Sequence, residues 1–129
     1  MNTESAVVRL PDGVSLSAFA PVAYFDKHMD CIRVVTMDRS VTEHRVDGFL
    51  TLHKSNHRLD LDPEYVGFTI KGIRHLFESV GLDLNGVHRL ADIIDRLVKH
   101  RPGSAMSTML ELVYREFKEN GDLEVDLAA

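Results

Sequence analysis

Val41-Thr42-Glu43-His44-Arg45-Val46-Asp47-Gly48-Phe49-Leu50-Thr51-Leu52-His53 is the stretch that decides the fold. Polar and β-branched residues alternate up to Val46, the period-two pattern of a strand with one wet face. Asp47-Gly48 signals a two-residue reversal, because both central positions of the tight hairpin turn need positive φ. Phe49 to His53 is the returning strand. Upstream, Cys31-Ile32-Arg33-Val34-Val35-Thr36-Met37 is rich in β-branched residues, and Asp38-Arg39-Ser40 would turn it. The pattern predicts a three-stranded antiparallel meander over about 31–54.

Outward from this meander the signals change. Toward the N-terminus, Val7–Leu10 and Val14–Ser17 flank Pro11-Asp12-Gly13, a turn sequence that suggests a small hairpin. Toward the C-terminus, helical spacing dominates. Ile70, Ile73, Leu76, Phe77 and Val80 predict a helix over about 69–80, capped by Thr69 and ended by Gly81. Tyr65–Ile70 also reads as a strand. Val87, Leu90, Ala91, Ile94, Leu97 and Val98 predict a second helix over about 87–100, with Asn85 as its cap. Met106, Met109, Leu110, Val113 and Phe117 predict a third over about 104–119, capped by Ser104. Leu123 to Leu127 alternates as a last strand, fit for a sheet edge. The expected class is α+β, an antiparallel sheet with edge strands offered from both ends, packed against three helices.

The chain has 129 residues, and 1–129 reads as a single domain. A hydrophobic share of 44% and a charged share of 27% exclude a collagen-like or disordered chain. No window approaches the apolar length that spans a bilayer. The formal charge of −5 disfavours nucleic acid as a partner. The first residues carry no basic segment followed by an apolar run, and Cys31 has no second cysteine to pair with. Both features predict a cytoplasmic protein.

Three groups of residues carry chemistry worth testing. His53 and His57, with Asp62 or Asp60 as a third ligand, form a candidate metal set, although a strand end lacks the helical geometry that zinc favours at this spacing. Asp60, Asp62 and Glu64 alternate as hard-cation ligands do, but Asp62 before Pro63 also reads as a helix cap. Asp26, His28, Asp30 and Cys31 gather two acids, an imidazole and a thiol, yet neighbours on a strand point to opposite faces. Glu43 and His44 add pieces of an acid–base site without an ordering motif.

Residues 73–92 fit a helix-turn-helix skeleton around Gly81. The surrounding segment holds Lys71, Arg74, Arg89, Arg96, Lys99 and Arg101 against Glu78, Asp83, Asp92 and Asp95. Phe77 is too large for the tight crossing such motifs use, and Asp92 and Asp95 would repel phosphates. His44, Arg74, Arg89 and Arg96 remain a candidate surface for a ligand or partner.

No nucleotide-binding, hydrolase or metalloprotease motif occurs, and the sequence names no cofactor and no catalytic residue. The leading expectation is a small binding or protein-interaction module, homo-oligomeric, with a second copy, a small molecule or a protein as partner. Ile93 and Leu112, apolar residues off the main helical stripes, and the terminal strand support self-association. One alternative is a small enzyme or metal-binding protein using histidines and carboxylates around 44–62. The other is a DNA-binding regulator using helices 69–80 and 87–100.

Overall fold

A computed structural model describes residues 19–57, 63–116 and 123–128, and the backbone of 7–9 and 15–17. The elements run β1 (Val7–Arg9), β2 (Ser15–Ser17), β3 (Val22–Asp26), β4 (Cys31–Val35), β5 (Val41–Arg45), β6 (Leu50–Ser55), β7 (Tyr65–Lys71), α1 (Ile73–Val80), β8 (Val87–Arg89), α2 (Leu90–His100), α3 (Ala105–Glu116) and β9 (Glu124–Asp126). The class is α+β: a five-stranded antiparallel sheet packed with three helices.

The sheet order is β3-β4-β7-β6-β5, which corrects the expected meander. β5 and β6 form the expected hairpin, with Glu43 opposite His53. β4 does not join them. It pairs with β3 on one side and β7 on the other, through Val34 opposite Phe68. β7 is the strand that the helical reading of 69–80 hides. Tyr65–Ile70 is rich in β-formers, and a strand there gains a bonded neighbour on each side, so tertiary pairing overrides the helical spacing of its apolar residues. The helix begins only at Ile73, after Gly72 turns the chain at φ 70°.

The helix-side face carries Ile32, Val34, Leu50, Leu52, Phe68 and Ile70, all buried. Alternation on the strands aims these residues at the helices and their neighbours at the opposite face. Ile73, Leu76 and Phe77 of α1 and Leu90, Ile93, Ile94 and Leu97 of α2 complete the core with Met106, Leu110 and Val113 of α3. Ile93 is therefore core and not an interface residue, whereas Leu112 remains half exposed.

Several boundaries move for local reasons. Val87–Arg89 leaves the expected second helix and pairs with Glu124–Asp126, so the last strand joins a separate two-stranded sheet and not the edge of the main one. Asn85 accordingly caps no helix, and Arg89 stands at the start of α2. Ser104 does cap α3, accepting from the Ser107 N–H at 3.1 Å. The N-terminal strands pair as expected, with Val8 opposite Leu16, in a sheet of their own. Their turn residues, and the last residues of the predicted third helix, lie outside the described residues.

The decisive hairpin turns differently from its sequence signal. Neither Asp47 nor Gly48 has positive φ. The Asp47 carboxylate oxygen Oδ1 accepts instead from the Phe49 and Leu50 N–H groups, at 2.8 and 2.9 Å. Its Oδ2 accepts from the Met106 N–H at 3.0 Å, in the first turn of α3. The aspartate satisfies an orphan donor of the helix and fixes the turn at once, so a wider loop prevails over the tight one.

Candidate binding site on the helix-free sheet face

Register arranges the side chains of the opposite face in rows. One row runs Tyr24, Arg33, Thr69, Thr51, Arg45 from β3 to β5. The next runs Val22, Val35, Gly67, His53, Glu43. A shorter row holds Asp26, Cys31 and Lys71. Thr51, Thr69 and His53 are buried although no described helix covers them.

His53 sits where it does because position 67 is glycine. A Cβ there would lie 2.3 Å from the Val34 carbonyl oxygen and 3.1 Å from His53 Nδ1. His53 Nε2 and Thr69 Oγ1 are 2.9 Å apart, a hydrogen bond whose direction follows the imidazole tautomer. Glu43 Oε1 lies 3.9 Å from the same nitrogen and 3.9 Å from Arg33 Nη2. Burial pushes the imidazole below its ordinary value of 6.5; Glu43 pulls it back up and Arg33 adds to the lowering. The ring is therefore neutral near pH 7.

This cluster is not a nucleophile–base–acid relay. Such a relay uses both imidazole nitrogens, one toward the nucleophile and one toward the acid. Here Thr69 and Glu43 both approach Nε2. Cys31 is no better placed as a nucleophile. Burial raises its thiol above the ordinary value, against the lowering influence of Arg33, and a protonated thiol attacks poorly.

The rows do build a hollow of about 250 Å³, lined by Met29, Cys31, Arg33, Glu43, Thr51, Thr69 and Lys71. Lys71 forms no ion pair with a described residue, and Met29 is 68% exposed at the rim. Val22, Tyr24 and Val41 are exposed apolar side chains on the same face. The hollow thus offers an ammonium with no ion pair among the described residues, a guanidinium beside the Glu43 carboxylate, two buried hydroxyls and an apolar lip.

The structure scatters the residues singled out from sequence. His53 is buried in this face, whereas His57 is exposed in the turn beyond β6. Asp60 and Asp62 lie outside the described residues, and among the described residues no cluster of three potential ligands could hold a metal ion. His44 is the register partner of Leu52, so it points to the face opposite the hollow. Arg96 Nη1 donates to the Val80 carbonyl at 2.7 Å, closing the end of α1. Arg74 is exposed with Nε 4.0 Å from Asp30 Oδ1, and Arg89 is exposed on β8. Cys31 and His28 belong to one hairpin, but the His28 N–H is bonded to Asp26 in the turn.

Arg33, Thr51, Thr69 and Lys71 carry no site motif in the sequence, where Thr69 reads as a helix cap and Lys71 as part of a basic segment. Their signal was present as polar residues at alternate positions of three strands. It becomes a site only once β7 is known to separate β4 from β6. No family model, curated protein or solved structure matches this chain.

Proposed function

We propose that the chain is a small-ligand-binding module of the cytoplasm, and that its site is the hollow on the helix-free face. The observation that carries this reading is the Lys71 ammonium, without an ion pair among the described residues, lining the same hollow as Arg33 and the buried Thr51 and Thr69. Two cations against the single Glu43 carboxylate leave the hollow net positive, and with the hydroxyl donors they suit a carboxylate or similar anion. The Met29 rim and the Cys31 thiol suit a short apolar tail. The hollow is smaller than the roughly 300–1,000 Å³ of drug-sized sites, so the ligand is a small organic anion. The free, buried thiol of Cys31 fits a reducing compartment.

The test is a calorimetric titration with hexanoate, with inorganic phosphate in parallel. Saturable hexanoate binding is expected, weakened about tenfold or more by Lys71→Glu, since a charge-assisted hydrogen bond contributes about 1.5–3 kcal/mol. Absence of binding to both anions defeats the reading. Phosphate binding without hexanoate binding removes the apolar tail from it.

A further inference from the structure

β5 is an edge of the five-stranded sheet, and all its residues are exposed. Hydrogen bonds show which of its backbone groups are free. The Val46 N–H donates to the Leu50 carbonyl at 2.8 Å, and the Asn56 N–H donates to the Ser40 carbonyl at 2.9 Å. Bonded and non-bonded pairs alternate along an antiparallel ladder. Ser40, Thr42, His44 and Val46 therefore turn their backbone groups toward β6. Val41, Glu43 and Arg45 turn theirs outward, where no described strand meets them. The strand has neither the proline nor the lysine that commonly blunts such an edge.

We propose that a second copy of this chain docks on this edge, β5 against β5, antiparallel about a two-fold axis at His44. The choice of register follows from charge. Centred on His44, the outward-facing Glu43 and Arg45 of one copy become the bonded partners of Arg45 and Glu43 of the other. Glu43 and Arg45 share the helix-free face, so each bonded pair carries an ion pair above it. A register centred on Glu43 would set two carboxylates opposite each other, which is unfavourable. A register centred on Thr42 would pair Val41 with Glu43 and set Arg45 opposite Arg39 of the other copy, a like-charge pair. Only the His44 register is self-complementary, as a two-fold interface must be. It joins two five-stranded sheets into one of ten strands. Glu43 lines the hollow whereas Arg45 lies outside it, so Arg45→Glu tests the pairing without altering the hollow's lining.

Light scattering after size exclusion, over micromolar to millimolar concentrations, should show a reversible dimer of the 14.6 kDa chain. Arg45→Glu turns two attractions into two repulsions and should raise the dissociation constant about tenfold or more, with the circular dichroism spectrum unchanged. Combining it with Glu43→Arg restores opposite charges and should restore the dimer. If the double variant does not fold, a cysteine pair decides. Residues opposite each other at the two-fold form a non-bonded pair about 4.5 Å apart at Cα, so His44→Cys should cross-link into a covalent dimer on mild oxidation, and Thr42→Cys far less. A monomeric wild type at all concentrations, a dimer indifferent to Arg45→Glu, or no His44→Cys cross-link overturns the proposal.

Discussion

Gly67 and His53 face each other across β6 and β7, and each constrains the other. The 2.3 Å approach to the Val34 carbonyl is to backbone, which cannot rotate away. Gly67→Ala should therefore lower stability by about 3 kcal/mol, at the upper end of the overpacking range, read as a fall in the urea midpoint. His53 gives stability a pH dependence of known sign. Its folded value lies below its ordinary one because of burial. Above about pH 6.5 both folded and unfolded chains hold a neutral ring, and the full stability is present. As pH falls below that, the unfolded chain takes up a proton that the folded chain resists, and stability is lost until the folded value is passed. His53→Gln should flatten this slope between pH 7.5 and 5.5 in urea titrations; equal slopes in the two proteins would refute the assignment. His53 was legible as a functional candidate from its residue type alone. Its true neighbours were not, because Thr69 reads as a helix cap, and only a central strand brings Gly67 and Thr69 against the imidazole.

At the scale of elements, Asp47 links the β5–β6 hairpin to α3. One carboxylate accepts from Phe49, Leu50 and Met106. Asp47→Ala should cost about 2 kcal/mol, since it removes a turn and a helix-terminal acceptor together. Asp47→Asn should cost less, because the amide oxygen still serves the turn. Thermal unfolding of both variants measures the difference. The hairpin was readable from Asp47-Gly48, yet its loop was not, because the pull on the side chain comes from a helix more than fifty residues away. The same cause blurred the second helix: Val87–Arg89 has helical spacing but finds a partner in Glu124–Asp126. Elements with local causes, such as the Ser104 cap and the α1 stop at Gly81, were legible; those with distant partners were not.

Across the whole molecule, apolar positions off the helical stripes divide into two kinds. Ile93 is fully buried, whereas Leu112 is 50% exposed on α3. Ile93→Asp should therefore unfold the chain, while Leu112→Asp should change stability by less than about 0.5 kcal/mol and leave the β5-edge dimer intact by light scattering. The class of fold followed from counting strands and helices. The strand order did not, because β7 is inserted between strands that precede it. That insertion governs how the chain can be made. As the polypeptide leaves the ribosome, residues 22–35 and 41–55 can each close a local hairpin, but nothing joins them. The two hairpins stay separate, each with a bare inner edge, until 65–71 emerges and seals both at once. Synthesis thus passes through an interval in which two sticky halves wait for their keystone, and any pause between the emergence of residue 55 and that of residue 71 would lengthen the time during which they are open to aggregation.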